Sequence, residues 1–404
     1  MTGKMLLAAV GLTGLMAGSA GAQVSVKLGV MNDRSGVYSD IGGEGSVLAA
    51  RMAVEDARAQ KIIGDDVKVE IVAADHQNKP DIGANIARQW YDQEGVDVIL
   101  DVPTSSVALA INQITREKNK IFMNSGAATS DLTGSACSPN TVHWAYDTVQ
   151  LANVTGGAMV RQGGNTWFFL TADYAFGHAL ERDTSAVVVK NGGKVIGGVR
   201  TPFPTNDFSS FLLQAQASKA KVIGLANAGG DTVNSIKQAA EFGITQGGQS
   251  LAGMLVFVND VKALGLKTAQ GLVFSETFYW DENDATRAWS KRFGEKLNNR
   301  MPNMTNAGVY GSVLHYLKAV VAEKSKDPAK VMARMKATPT DDILFGKGSI
   351  REDGRKIHDA FLLEVKKPEE SKGDWDVAKI LSKVPADQVW RPLDQGNCPL
   401  VKKS

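Results

Sequence analysis

Short hydroxylated loops recur where this chain passes from predicted strands into predicted helices. Arg34-Ser35-Gly36-Val37-Tyr38 follows the first strand, Pro103-Thr104-Ser105-Ser106 the third, and Ser125-Gly126-Ala127-Ala128-Thr129-Ser130 the fourth. Small side chains there leave backbone N–H groups and hydroxyls exposed at helix starts, where donors and helix dipole both favour negative charge. One such loop is ordinary N-capping; three at strand ends of a single sheet point to a carboxylate site. A second group offers different chemistry. Thr171-Ala172-Asp173-Tyr174-Ala175-Phe176-Gly177 presents two aromatic rings, Asn227-Ala228-Gly229-Gly230-Asp231 an amide among small residues, and Val258-Asn259-Asp260 an amide and an acid. Hydroxyls and amides facing aromatics suit a small organic acid held in a cleft.

Catalytic signatures are missing. The sequence contains no G-x-S-x-G elbow, phosphate loop, H-E-x-x-H pair or C-x-x-C pair. Gly42-Gly43-Glu44-Gly45 follows the first strand, but Leu48 stands where a dinucleotide fingerprint needs its last glycine. The five histidines form no metal-binding pair at helical spacing. His76 follows a strand end and reads either as a cleft residue or as a loop histidine bonded to backbone. The expectation is a binding protein, not an enzyme, with no cofactor.

The elements that must position these loops alternate regularly. Strand-like Val24–Val30, Val67–Ala73, Val96–Asp101 and Lys120–Asn124 are separated by helix-like segments. In the first of these, Val47, Ala50, Val54 and Ala57 recur at helical spacing. After the Gly/Ser-rich stretch Ser125–Asn140 the pattern restarts with Thr166–Leu170, Lys194–Val199, Lys221–Leu225 and Leu251–Val258. Strands alternating with helices predict parallel sheets covered on both faces. Two runs predict two doubly wound α/β lobes: residues 23–143 with 278–345 returning to the first, and 144–277 with 346–385 returning to the second. Residues 386–404 form a tail. Val142–Asp147 and Glu276–Trp280 are the hinge candidates, with Trp144, Tyr279 and Trp280 either reaching the cleft or packing across the hinge.

The chain of 404 residues carries 45 Lys+Arg against 43 Asp+Glu without a long basic block, which argues against nucleic acid as partner. At its start, Lys4, the apolar run Leu6–Met16 and Ala20-Gly21-Ala22 predict a secretory leader over residues 1–22. No cysteine stands at that cut, so a lipid anchor is not expected. Only Cys137 and Cys398 are present. In an oxidising compartment they pair most simply with each other, tying the tail back to the first lobe; two buried free thiols are the alternative.

In combination and order, Arg34-Ser35-Gly36, Thr104-Ser105-Ser106, Ser125-Gly126-Ala127-Ala128-Thr129 and Asp173-Tyr174-Ala175-Phe176-Gly177 resemble the solute-binding proteins of branched-chain amino acid type ABC transporters. The likeness covers the whole mature chain and implies the type I periplasmic binding-protein fold. It implies Ser105 or Ser106, the Ala127 N–H and Thr129 as carboxylate anchor, with Tyr174 or Phe176 as the stacking ring; Tyr38 and Asn227 complete the expected walls. Ile41 stands near a family tyrosine. Where amino-acid binders carry an aromatic, Asn227-Ala228-Gly229-Gly230 is small, which predicts an enlarged cleft. Where they carry a glutamate for the ligand's ammonium, only Asp260 is at hand. These departures are similar to the branch taking up aromatic acids of benzoate, phenylpropenoate or arylpyruvate type, as is the pairing of Cys137 with Cys398. An amino acid or amide ligand is the alternative, and a sensing module for a signalling partner a different class. The resemblance further implies hinge closure and delivery to a membrane permease by a periplasmic monomer.

Overall fold

The structure is a computed structural model describing residues 24–402; the predicted leader lies outside the described residues. Strands β1 (Val24–Asn32), β2 (Val67–Asp75), β3 (Val98–Asp101), β4 (Ile121–Asn124) and β5 (Thr141–His143) form a parallel sheet in the order β2-β1-β3-β4-β5. Helices α1 (Gly43–Ala59), α2 (Pro80–Asp92) and α3 (Ser105–Glu117) make its crossovers. Period-two alternation divides β1 between two cores. Val26, Leu28 and Val30 join the cluster under α1, while Met31 joins Trp90, Ile99 and Ile111 under α2 and α3.

Past β5 the chain enters α4 (Thr148–Leu151), a π-helical turn and α5 (Gly157–Arg161). A second parallel sheet follows from β6 (Thr166–Ala172), β7 (Lys194–Thr201), β8 (Val222–Ala226) and β9 (Ser250–Gly253), in the order β7-β6-β8-β9. Its helices are α6 (Ala175–Lys190), α7 (Ser209–Ala217) and α8 (Gly230–Glu241). After α9 (Val258–Leu264), α10 (Leu266–Ala269) and β10 (Val273–Glu276), the chain returns to the first lobe through α11 (Asp284–Lys296), α12 (Met304–Glu323) and α13 (Pro328–Ala337). An ionic clamp fixes this return: Arg292 forks Asp56 of α1 at 2.7 and 3.1 Å, and the Tyr310 hydroxyl donates to the same carboxylate at 2.7 Å.

The late strands divide between the lobes. β11 (Thr340–Asp342), β12 (Gly346–Ile350) and β13 (Lys356–Ile357) form a small antiparallel sheet. An Arg355–His143 bridge and a hydrogen bond from His143 N to Gly354 O, 2.9 Å, set it beside β5. Residues 346–357 therefore lie against the first lobe, away from the second-lobe position expected for them, because they complete the pairing of β5. β14 (Ala360–Val365) and β15 (Ala378–Val384) pair antiparallel with β10. Phe361, Leu363 and Ala378 share one apolar core with Leu170 and Leu225 of the second sheet.

Cys137 and Cys398 form a disulfide with a Cα–Cα distance of 5.6 Å, pinning the tail to the first lobe; the free-thiol alternative is excluded. No helix among the described residues is long and apolar enough to cross a membrane.

Candidate functional site

The carboxyl ends of the two parallel sheets face each other across a cleft. Tyr38, Ile41, Pro103 and Ala128 line it from the first lobe, and Tyr174, Phe176, Ala228 and Leu255 from the second. Tyr146, on the β5–α4 crossover, closes its back. No lining residue is charged.

Tyr38 is aimed by its own loop. The buried Asp33 carboxylate accepts the N–H groups of Ser35, Gly36 and Tyr38 at 3.2, 2.7 and 2.8 Å, folding Arg34–Tyr38 around it. The same carboxylate accepts from Asn78 Nδ2 at 2.6 Å, and Thr104 donates to Asn78 Oδ1, linking the loop to the start of α3. Tyr38 then reaches across the cleft, its hydroxyl 2.5 Å from that of Tyr174. Tyr174 stacks on Phe203 with ring centroids 4.2 Å apart.

The lobes are closed on each other. Gly230 N donates to Val37 O at 3.1 Å, Ser130 Oγ to Asp183 at 2.7 Å, and Asn303 Nδ2 to Asn259 Oδ1 at 2.8 Å. In this state the cavity is about 10 Å³, room for roughly one water. The enlarged cleft expected from Asn227–Gly230 is not what those small residues make. Gly229 has φ +56°, and a Cβ on it would lie 2.4 Å from Val37 O. The space goes to the opposite lobe's backbone instead of to ligand.

The expected anchor residues have varied places. Ser105 is buried, and its hydroxyl accepts from Thr129 N at 3.2 Å, joining α3 to the following turn. Ser106 is half-buried and its hydroxyl makes no hydrogen bond among the described residues; neither serine borders the closed cavity. Val107, Ala108, Ile111 and Ile114 bury one face of α3, fixing its start beside Pro103. No side chain caps that start, so its first N–H groups are unspent. The Ala127 N–H is already committed, donating to Asn124 Oδ1 at 3.0 Å, and the adjacent Ala128 lines the cavity in its place. The Thr129 hydroxyl caps the turn Ser130–Thr133, accepting from Asp131 N at 3.3 Å.

In the second lobe, Tyr174 and Phe176 both line the cleft. Asn227 is turned inward: its Oδ1 accepts from Thr232 at 2.7 Å and its Nδ2 donates to Ser235, bracing the first turn of α8. Asp260 accepts from Phe257 N at 2.9 Å as the capping partner of α9. Burial raises its pKa to about 7. The residue after β9 that reaches the cleft is Leu255, so apolar surface stands where an ammonium partner was sought. His76 is the loop histidine of its second reading, with Nδ1 accepting from Asn78 N at 3.0 Å.

Tyr146, Leu255 and Phe203 were not singled out in the sequence. Tyr146 had a signal, as the second aromatic, after Trp144, of a predicted hinge; Leu255, inside the apolar run Met254–Val258, and Phe203, alone between two prolines, had none. Trp144 packs against His315 and Tyr279 donates to Ala378 O at 2.9 Å, so both serve the hinge and core. The crossovers are stitched by Arg355, fully buried over Trp390, which donates to Tyr146 O at 3.1 Å. A second buried acid sits at the lobe junction. Glu276 accepts from Val258 N at 2.8 Å and Met304 N at 3.2 Å, joining the starts of α9 and α12. Burial raises its pKa to about 8.

A family profile described as periplasmic binding protein matches residues 25–374. A periplasmic binding protein from Burkholderia mallei is 51% identical, with TM-score 0.90 over 94% of this chain and 99% of that one. A branched chain amino acid ABC transporter periplasmic ligand-binding protein from Burkholderia xenovorans is 39% identical, with TM-score 0.82 over 93% and 99%. A solute binding protein of an ABC transporter from R. palustris, in complex with benzoate, is 21% identical with TM-score 0.78 over 90% and 97%, a likeness of fold alone.

Proposed function

Since the chain belongs to the periplasmic binding protein family of ABC transporters, whose members bind solutes and are not enzymes, we propose that its solute is an aromatic carboxylate of benzoate, phenylpropenoate or arylpyruvate type. The observation that carries this reading is the wall composition of the cleft. Tyr38, Tyr146, Tyr174 and Phe176 surround it with aromatic surface, and no acid lines it to receive an ammonium. The carboxylate is held by the uncapped N–H groups at the start of α3, the Ser106 hydroxyl and the Ala128 N–H. The ring displaces Tyr174 from Tyr38 and takes its place among the aromatics. The backbone contact between Gly230 and Val37 is kept, so the lobes close over the ligand. Closure stabilised by ligand is the state presented to the membrane permease. The protein reaches the periplasm by its 1–22 leader and acts as a monomer.

A second reading, a branched-chain amino acid, is favoured by the description of the relative at 39% identity. It requires the ligand ammonium to sit against Leu255 or against a tyrosine hydroxyl, a poor exchange for water. A thermal-shift series separates the two: benzoate and phenylpropenoate raise the melting temperature under the first reading, leucine and isoleucine under the second.

A further inference from the structure

A much larger cavity lies outside the cleft. It measures about 540 Å³, within the roughly 300–1,000 Å³ of small-molecule sites. Four pieces of chain build it: Asp131 and Ser135 of the first lobe, Val149 and Asn153 of the crossover, the α6 face of the second lobe, and the tail from Arg391 to Asn397 held down by the Cys137–Cys398 bridge.

The charges around it are unevenly matched. Asp131, Asp183, Arg182, Lys190 and Arg391 line the cavity. Both carboxylates are spent internally. Asp183 accepts from Arg182 Nε at 2.9 Å, Ser130 Oγ at 2.7 Å and Thr148 Oγ1 at 2.6 Å. Asp131 accepts from Arg182 Nη1 and Thr129 Oγ1, each at 3.1 Å. Arg182 is paired with both carboxylates and also donates from Nη2 to Ser130 Oγ at 2.8 Å.

Two cations remain. Arg391 is half-buried between the turn at Gly134 and Gly396, where its Nη2 donates only to the Ser130 carbonyl at 3.2 Å. Its Nε is buried with no hydrogen-bond partner, and no carboxylate lies within ion-pair range of the guanidinium among the described residues. Lys190, exposed at the last turn of α6, makes no ion pair among the described residues. Between the charged groups the floor is apolar, from Val149, Ala186 and Val187.

We propose that this cavity is a second binding site, separate from the interlobe cleft, for a small organic dianion of the dicarboxylate class. Its two charges neutralise Arg391 and Lys190, and its short carbon chain lies on the apolar floor. Guanidinium recognition of carboxylate is directional and charge-assisted, so Arg391 is the main determinant.

The test is isothermal titration of the full-length mature protein with succinate at constant ionic strength, with dimethyl succinate and sulfate as controls. The expected result is saturable 1:1 binding of succinate, none of the neutral diester, and weaker binding of sulfate, which cannot use the apolar floor. Arg391→Met and Lys190→Met each weaken succinate roughly five- to tenfold. Benzoate binding in the cleft is unchanged in both variants, which separates this proposal from the reading of the cleft. No succinate binding, or binding indifferent to both substitutions, overturns the proposal. Binding of a polyglutamate peptide but not of succinate also overturns it, in favour of a protein partner.

Discussion

Gly229→Ala tests whether closure depends on backbone meeting backbone across the cleft. The new Cβ would sit 2.4 Å from Val37 O and 2.9 Å from Tyr38 Cδ1. Restoring ordinary contact requires the facing loop to retreat by about 1 Å. That retreat breaks the 3.1 Å bond from Gly230 N to Val37 O, worth about 0.5–1.5 kcal/mol net, and loosens the packing around it. The closed state loses about 1–2 kcal/mol, so ligand affinity falls roughly 5- to 30-fold. The φ of +56° adds about 1–3 kcal/mol of strain to open and closed forms alike, which lowers the melting temperature without entering the affinity. Gly230→Ala is the control, because its Cβ meets the Val37 side chain at 3.4 Å, an ordinary contact. Calorimetric titration gives the affinities, and small-angle scattering reports compaction on ligand addition. A Gly229→Ala protein that binds and compacts like the wild type would show that closure does not depend on this backbone contact.

Four further outcomes follow from the structure. Ser106→Ala weakens carboxylate binding about five- to tenfold with an unchanged melting temperature, since its hydroxyl has no partner among the described residues. Thr129→Ala instead removes the cap of the Ser130–Thr133 turn and costs about 1 kcal/mol of stability by denaturant titration. Glu276, with its pKa raised by burial to about 8, is protonated when folded and ionised when unfolded between about pH 4.5 and 8. Its stabilising contribution is present below that window and lost as pH rises through it, so Glu276→Gln flattens the fall in melting temperature between pH 5 and 8 relative to wild type. Reduction of Cys137–Cys398, which spans 261 residues, lowers stability by about 5.6 kcal/mol in loop-entropy terms, measured as a shift in denaturant midpoint.

Periodicity made the two-lobe α/β plan legible, because buried parallel strands and amphipathic helices print different repeats. The return of α11, α12 and α13 to the first lobe was legible as a break in that repeat. The place of β12 and β13 was not, since short antiparallel strands carry too few residues to announce a partner. At the site, Tyr38, Tyr174 and Phe176 were legible from their loops, being large rings just past strand ends. The hydroxyl and amide residues were harder. Ser105, Thr129, Asn227 and Asp260 have the residue types of ligand contacts, yet each satisfies backbone or a neighbouring side chain instead. A residue type that binds carboxylates also caps helices, and sequence does not say which task claims it. The run Asn227–Gly230 misled for a related reason: small residues make room, and only the fold says for what. Here the occupant is Val37 of the opposite lobe.

Whether the aromatic-walled cleft selects an aromatic carboxylate, as proposed, is decided by calorimetric titration of the purified protein with benzoate and phenylpropenoate, each followed by leucine. Saturable 1:1 binding of an aromatic acid with no heat from leucine is the predicted result. Saturable binding of leucine that no aromatic acid displaces would contradict it.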